Sequence, residues 1–157
     1  MEAARVIEAL KQREWFVSTA ESCTGGLIAG AITEVAGSSA VFDRGFVTYS
    51  NRAKTQMLGV QPATLEGFGA VSEEVAREMA EGARLRAGVD IAVAVTGIAG
   101  PGGSDHKPEG RVCFGLSTAE NCDSLTVEFG AIGRAQVRQA TVKQALALLH
   151  QAAFLSA

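Results

Sequence analysis

The sequence of 157 residues lacks the features that nucleic-acid-binding, disulfide-rich and membrane-spanning proteins depend on. Its formal net charge is −3 and it has no basic run, which argues against nucleic acid as a partner, because phosphate neutralisation requires clustered Lys and Arg. The three cysteines have no C-x-x-C spacing, so we expect reduced thiols and no zinc framework. No apolar run is long enough for a membrane span, and residues 1–5 have no signal-peptide core, so we expect a cytoplasmic protein.

Histidine and lysine are also scarce, which limits the catalytic bases available. The two histidines, His106 and His150, lie in a Gly-rich segment and in the predicted last helix, so a Ser-His-Asp triad is poorly supplied. Of four lysines, Lys54 alone lies one turn into a predicted helix that follows a strand. It is the best-placed base if burial lowers its pKa, and the alternative is an ordinary exposed lysine.

Apolar periodicity predicts an alternation of helices and strands followed by a pair of strands. The predicted helices are 2–13, from the Ser22 turn to about 35, 51–58, from Ser72 to Gly88 and 134–154, and the predicted strands are 15–20, 41–50, 90–96, 111–118 and 125–129. We expect Gly37 to end the second helix, Gly45 to form a bulge and residues 60–71 to be a loop with one helical turn. This pattern predicts one α/β domain over residues 1–157, a three-layer α/β/α sandwich on a mixed sheet of about five strands.

One segment concentrates reactive groups at a predicted strand-to-helix turn. Thr19-Ala20-Glu21-Ser22-Cys23-Thr24-Gly25-Gly26 brings hydroxyls, a thiol, a carboxylate and two glycines to a position where backbone N–H groups are unpaired. Ser22 is the first candidate nucleophile and Cys23 the second, because a thiol at a helix N-terminus can have a lowered pKa. The alternative is that Ser22 or Thr24 is only a helix cap.

A second segment, Gly97 to Gly110, is rich in glycine and follows a predicted buried strand. It suits close backbone approach to a phosphate or a sugar, but it matches neither the P-loop nor the dinucleotide-binding spacing, and the alternative is a flexible connector. Arg111 and Arg134 are candidate phosphate clamps near loop ends. If the preceding strands are parallel, this loop, the Ser22 turn and the start of the Lys54 helix share one rim of the sheet.

Several ordered motifs together resemble the CinA C-terminal domain family over residues of about 5–150. They are Ala20-Glu21-Ser22-Cys23-Thr24-Gly25-Gly26, Gly37-Ser38-Ser39-Ala40-Val41-Phe42, Arg44-Gly45-Phe46-Val47-Thr48-Tyr49-Ser50-Asn51 with Lys54, Gly69-Ala70-Val71-Ser72, and Thr96-Gly97-Ile98-Ala99-Gly100-Pro101. The resemblance implies an amidohydrolase that converts nicotinamide mononucleotide to nicotinate mononucleotide and ammonia through an acyl-enzyme, without metal or cofactor, and it suggests a homodimer. The family's serine, lysine and site tyrosine fall on Ser22, Lys54 and Tyr49. We expect Lys54 to take the Ser22 proton, N–H groups at the start of the second helix to stabilise the oxyanion, and protonated Lys54 or Tyr49 to help ammonia leave. The Tyr49 hydroxyl could instead place the substrate.

From these motifs and their placement we predict a set of substrate contacts at this rim. They are Glu21, Thr24, Gly25, Thr96, Gly97, Gly100, Gly102, Arg111 and Arg134. Two departures from the family pattern bear on them: Ile132-Gly133-Arg134 replaces Gly-Asp-Arg, and Glu109, which replaces a small apolar residue, adds negative charge near the expected phosphate site. A non-catalytic nucleotide-binding or regulatory module and a hydrolase of a different nucleotide amide are the alternatives.

Overall fold

The computed structural model describes residues 2–104 and 106–155, and helices and strands alternate along them as the sequence predicts. The helices are α1 (Glu2–Arg13), α2 (Leu27–Thr33), α3 (Asn51–Leu58), α4 (Pro62–Phe68), α5 (Glu73–Ala87) and α6 (Arg134–Leu155), and the strands are β1 (Val17–Glu21), β2 (Phe42–Val47), β3 (Ile91–Gly97), β4 (Arg111–Thr118) and β5 (Cys122–Glu128). A short 3-10 helix covers Ser38–Ala40.

The five strands form one mixed sheet in the order β2-β1-β3-β4-β5. Strand β1 pairs in parallel with both β2 and β3, whereas β3–β4 and β4–β5 are antiparallel, as predicted for the last two strands. The connection after β1 leads to β2 on one side of it, whereas the connection after β3 leads to β4 on the other side, so the carboxyl ends of β1 and β3 flank a crevice. This crevice is the default place for a ligand in such a sheet.

Alternating side chains of the central strand β3 enter two separate hydrophobic cores. Ile91, Val93 and Val95 pack with α1, α2 and α6 on one face of the sheet. Ala92 and Ala94 pack with α5 and the end of α3 on the other face. The small alanines let α5 approach the sheet closely, and the larger residues fill the wider opposite layer. The three-layer α/β/α sandwich on a mixed five-stranded sheet is confirmed.

Three local predictions are wrong. The segment predicted as a loop contains helix α4, with Pro62 in its first turn, where the missing N–H costs nothing. Helix α2 ends at Thr33, and Gly37 instead precedes the 3-10 helix, with φ 90°.

The third concerns the bulge in β2. The β1–β2 register shifts between Val17 and Ser18, whose partners are Phe42 and Arg44, so Asp43 is the extra residue rather than Gly45. Gly45 is needed for another reason, because a Cβ there would lie 2.7 Å from the Thr19 hydroxyl. Among the described residues, no helix has the length and apolarity to cross a membrane.

Candidate active site

Ser22 directly follows β1 and lies at the crevice between β1 and β3. Its backbone N–H donates to the Val95 carbonyl at 3.1 Å, which extends the pairing of the two strands by one residue. Side chains alternate across a strand, so Glu21 points to the α2 side of the sheet and Ser22 to the opposite side, where α3 lies. Glu21 therefore contacts α2, whereas Ser22 lies on the α3 side of the sheet.

The Glu21 carboxylate is buried and holds the turn against the start of α2. One oxygen accepts hydrogen bonds from the Thr24 hydroxyl at 2.6 Å and the Ile28 N–H at 2.8 Å, and the other accepts from the Ala29 N–H at 2.9 Å. A carboxylate at this position satisfies orphan backbone donors and complements the helix dipole. The alternative in which Ser22 or Thr24 caps α2 is wrong: neither side chain caps the helix, Thr24 donates to Glu21, and Glu21 supplies the cap.

Lys54 is carried to the crevice by helix α3. The helix starts at Ser50, whose hydroxyl accepts the Ala53 N–H at 3.0 Å, and it ends at Gly59, as predicted. The Lys54 side chain is 1% exposed. Its Nζ atom lies 3.1 Å from Ser22 Oγ, 3.0 Å from the Thr48 carbonyl oxygen and 3.4 Å from the Tyr49 carbonyl oxygen. The two side chains that the sequence nominated as base and nucleophile are thus in direct contact.

Burial lowers the pKa of Lys54 to about 8, because removal from water disfavours the charged ammonium. In the neutral form, Nζ has two hydrogens and one lone pair. Both carbonyl oxygens are acceptors only, so when the two hydrogens go to them the lone pair faces the Ser22 hydroxyl, which can also donate to the Tyr49 carbonyl at 3.5 Å. The arrangement can accept a proton from Ser22 without moving a heavy atom.

Cys23 is less suited to act as a nucleophile. Its side chain is buried, and burial raises the pKa of the thiol to about 11. The reactive thiolate is therefore scarce near neutral pH. The order in which the sequence ranked Ser22 and Cys23 agrees with this environment.

A cavity of about 360 Å³ opens above Ser22 and Lys54. Its walls come from the start of α3, the segment before α5, the Gly-rich loop after β3 and the first residue of α6. The predicted site residues that line it are Ser22, Tyr49, Lys54, Thr96, Gly97, Gly100, Gly102 and Arg134. Thr96 is fixed there by donating its hydroxyl proton to the Ala70 carbonyl at 2.8 Å.

Four predicted substrate contacts are not among the residues that line this cavity. Glu21 and Thr24 are buried against each other, and Gly25 faces the Arg138 guanidinium. Arg111 forms an ion pair with Glu128 of the neighbouring strand, with 2.7 Å between Nη2 and Oε2. None of these four residues is therefore proposed as a side-chain contact of the substrate.

Tyr49 differs from its predicted environment. It falls in the segment 41–50 that the sequence predicts as a strand, but β2 ends at Val47, and Tyr49 lies in the following loop with 62% of its surface exposed. Its hydroxyl accepts a hydrogen bond from Arg134 Nη2 at 3.1 Å, and Arg134 Nη1 donates to the Gly100 carbonyl at 2.7 Å. Arg134 therefore connects Tyr49 to the Gly-rich loop at the cavity.

Sequence reasoning missed several contacts that shape the site. Lys107 donates to the carbonyls of Phe68 and Val71 at 2.6 and 2.5 Å, which ties the Gly-rich loop to the segment before α5. Glu109 accepts the Gly102 N–H at 2.7 Å, so its charge is directed at the loop backbone. No local pattern indicates the Lys107 contacts, because their partners are backbone atoms almost 40 residues away.

A further missed residue, Arg138 of α6, reaches the Ser22 turn. Its Nε and Nη2 atoms donate to the carbonyl oxygens of Cys23 and Thr24 at 3.1 and 3.2 Å. The only sequence signal is that Arg138 lies one turn after Arg134, so the two share a helix face.

Comparisons with known proteins identify similar sequences and structures. The family model of the CinA C-terminal domain matches residues 2–153. The nicotinamide-nucleotide amidohydrolase PncC of Escherichia coli K12 is 52% identical over 148 residues, which are 94% of this chain and 90% of that protein. The PncC amidohydrolase of Enterobacter agglomerans is 64% identical over 110 residues, which are 69% of this chain and 67% of that protein.

Longer relatives and a solved structure match as well. A putative competence-damage inducible protein of Caldicellulosiruptor saccharolyticus is 50% identical over 93% of this chain, but the match spans only 36% of that relative. The crystal structure of the competence/damage inducible protein CihA from Agrobacterium tumefaciens superposes with a TM-score of 0.91 at 55% identity, covering 94% of this chain and 91% of that one.

Proposed function

The chain belongs to the CinA C-terminal domain family, and from that premise we propose that it hydrolyses the carboxamide of nicotinamide mononucleotide to nicotinate mononucleotide and ammonia. Two relatives that match over most of their length are named nicotinamide-nucleotide amidohydrolases. The observation that carries the proposal is the 3.1 Å contact between Lys54 Nζ and Ser22 Oγ at the floor of a cavity.

In the proposed acylation step, neutral Lys54 takes the proton of the Ser22 hydroxyl as Oγ attacks the carboxamide carbon. The Oγ–C bond forms, and the carbonyl electron pair moves onto oxygen. As the tetrahedral intermediate collapses, the C–N bond breaks and protonated Lys54 gives its proton to the leaving nitrogen, which departs as ammonia. The ring carbonyl remains bound to Ser22 as an ester.

In the proposed deacylation step, the neutral Lys54 takes a proton from water, and the resulting hydroxide equivalent attacks the ester carbon. Collapse of the second intermediate breaks the C–Oγ bond, and the proton returns from Lys54 to Ser22. The product acid loses its proton to solvent and leaves as a carboxylate. Both steps use the same lysine, since its two carbonyl partners hold Nζ in one place throughout.

The oxyanion of each intermediate requires hydrogen-bond donors near Ser22. From the sequence we expected N–H groups at the start of α2, but those of Ile28 and Ala29 are donated to Glu21. The N–H groups of Cys23 and Thr24 directly follow the nucleophile and have no hydrogen-bond partner within the described residues. We assign the oxyanion-stabilising role to these two groups.

We place the rest of the nucleotide along the cavity wall formed by the Gly-rich loop. Gly97, Gly100 and Gly102 line this wall, and at Gly102 the space that a Cβ would occupy is open, so a ligand can approach its backbone closely. Arg134 brings the positive charge that a phosphate requires. We place Tyr49 at the phosphate end of the cavity, beside Arg134, because its hydroxyl accepts a hydrogen bond from Arg134. Here Tyr49 contacts or orients the substrate, and Lys54 rather than Tyr49 protonates the leaving nitrogen.

The direct test is ammonia release from nicotinamide mononucleotide by the pure protein, with Ser22→Ala as the blank. We expect equimolar ammonia and nicotinate mononucleotide from the wild type and neither from the variant. Nicotinamide riboside and unrelated nucleotide amides, assayed in parallel, distinguish this substrate from another amide. Tight binding of the nucleotide without turnover would instead favour the non-catalytic module.

The sequence-based expectations of a homodimer, of no nucleic-acid partner and of a cytoplasmic location stay predictions. Sedimentation equilibrium of the pure protein tests the first of them. A molar mass of about twice 16.2 kDa is expected for the dimer.

A further inference from the structure

We propose that Arg138 is a positioning residue, which locks the peptide plane directly after the nucleophile so that the oxyanion donors keep their direction. The inference rests on the proposed acyl-enzyme chemistry of Ser22. Arg138 lies in the second turn of α6, far along the chain from Ser22, and it is half-buried against the Ser22 turn.

The contact of Arg138 with the turn is made by two separate donors of one rigid group. Nε donates to the Cys23 carbonyl at 3.1 Å and Nη2 to the Thr24 carbonyl at 3.2 Å. The Thr24 carbonyl also accepts the Leu27 N–H at 3.1 Å, whereas within the described residues the Cys23 carbonyl accepts from Arg138 alone. The orientation of the Cys23–Thr24 peptide therefore depends on Arg138.

The Cys23–Thr24 peptide needs an interaction that fixes its orientation, because the turn continues through two glycines. Gly25 and Gly26 have φ values of 57° and 108°, a region that glycine enters freely. Such residues leave the chain free to exchange between turn conformations that differ by a flipped peptide plane. The neighbouring carbonyl of Ser22 is held by the Gly25 N–H at 3.0 Å, so the Cys23–Thr24 peptide is the part of the turn that Arg138 must fix.

The peptide geometry links this carbonyl to catalysis. In a trans peptide the C=O and the following N–H point in opposite directions. When Arg138 holds the Cys23 carbonyl on the α6 side, the Thr24 N–H is directed away from α6. That N–H is one of the two groups assigned to the oxyanion, so Arg138 sets the direction of a donor that it does not touch.

Helix α6 is well anchored for this purpose. Val137, which precedes Arg138, is fully buried in the core on that side of the sheet. Arg134, one turn earlier on the same face, lines the cavity. The guanidinium is thus presented from a fixed helix, and its planar fork fits two adjacent carbonyls in a way that a lysine ammonium cannot reproduce.

The test compares Arg138→Met with Lys143→Met, which removes the same charge from an exposed position of the same helix. Two rates are measured: ammonia release from nicotinamide mononucleotide, and phosphonylation of Ser22 by a small alkyl fluorophosphonate, with Ser22→Ala as the blank. The phosphonylation reaction forms an Oγ–P bond with loss of fluoride and places an oxygen where the oxyanion would lie. Its rate therefore depends on the oxyanion donors of the Ser22 turn, even if nicotinamide mononucleotide proves not to be the substrate.

For Arg138→Met we expect kcat and the phosphonylation rate to fall about 10- to 100-fold, because a misdirected oxyanion donor costs part of the 100- to 1,000-fold that its deletion costs. KM should change less than about threefold, and the pH midpoint of kcat/KM should stay in place, since Lys54 keeps its partners. Guanidinium ion at millimolar concentration should partly restore Arg138→Ala.

Rates for Arg138→Met within about twofold of the wild type, or an equal fall in Lys143→Met, would overturn the proposal. If Arg138→Met does not fold, Arg138→Lys decides: its single ammonium cannot hold both carbonyls, so a wild-type kcat in a folded Arg138→Lys would equally overturn it. A shifted pH midpoint would show that Arg138 acts through Lys54 instead, which also contradicts the proposed role.

Discussion

Ser22 is the one partner of the Lys54 Nζ atom, among the described residues, that can give a proton as well as accept a hydrogen bond. The other two partners are carbonyl oxygens, which can only accept. Once Lys54 is neutral, a proton can therefore pass from Ser22 Oγ to Lys54 Nζ. The pH dependence of the reaction and the effects of replacing Cys23 and Tyr49 can each be measured.

The value of kcat/KM for ammonia release should rise with pH and reach a plateau above about pH 8. Burial lowers the pKa of Lys54 to about 8, and only the neutral amine can act as the base. Below that pH, the protonated fraction grows and kcat/KM should fall about tenfold per pH unit. A kcat/KM profile from pH 6 to 9.5, with the melting temperature followed over the same range, tests this. A flat profile with an intact fold would exclude Lys54 as the base.

Cys23→Ala should keep kcat within about threefold of the wild type, whereas Ser22→Ala should lose more than about 1,000-fold. The reason is that burial raises the pKa of Cys23 to about 11, which leaves the thiol protonated at neutral pH. Iodoacetamide should accordingly inactivate the wild type slowly at pH 7.5. Rapid inactivation that Cys23→Ala abolishes would reverse the assignment of the nucleophile.

Tyr49→Phe should raise KM and change kcat less than about threefold, because the phenol is bonded to Arg134 and not to Ser22 or Lys54. Arg134→Met should raise KM further. In the double variant the two effects should not add, since each single change already breaks their shared hydrogen bond. A large loss of kcat in Tyr49→Phe alone would favour a phenol that transfers a proton.

Glu21→Gln should lower the free energy of unfolding by about 1–3 kcal/mol, because an amide has one acceptor oxygen for donors that now use two. The matched control is Glu34→Gln at the exposed C-terminal end of the same helix, where a change within about 0.5 kcal/mol is expected. Urea denaturation of both variants gives the comparison. Equal stability of Glu21→Gln and the wild type would contradict the capping role.

Gly82→Ala should destabilise the protein by about 1–3 kcal/mol, because a Cβ at position 82 of α5 would overlap the Leu58 carbonyl oxygen at the end of α3. It should also lower kcat, since α3 carries Lys54. Gly30→Ala is the control: that helical glycine has open space, so alanine should stabilise by about 0.5–1 kcal/mol. The two free energies of unfolding should thus shift in opposite directions.

Local sequence patterns were sufficient to predict the order of helices and strands and the start of α5. Ser72 accepts a hydrogen bond from the Val75 N–H, three residues later, as expected of a helix cap. The continuous apolar run after Asp90 correctly predicts a strand buried on both faces. The pairing of Ser22 with Lys54 was also within reach, because each follows a strand whose carboxyl end meets the same crevice.

Other features depend on contacts that no local pattern records. Arg138 and Cys23 are 115 residues apart, and their contact requires the packing of α6 beside the turn. Glu21 could face water, substrate or backbone until the position of α2 is known. The bulge at Asp43 is likewise set by the pairing of two strands, and a glycine two residues away was the more conspicuous candidate in the sequence.

The lysine is held by main-chain oxygens of residues 48 and 49, and this has a consequence for how the site can change over time. Every amino acid supplies a carbonyl, so the side chains at these two positions can be exchanged without releasing Nζ. Position 49 also faces the ligand cavity. Selection can therefore alter which molecule enters the cavity while the proposed proton transfer between Ser22 and Lys54 is kept unchanged.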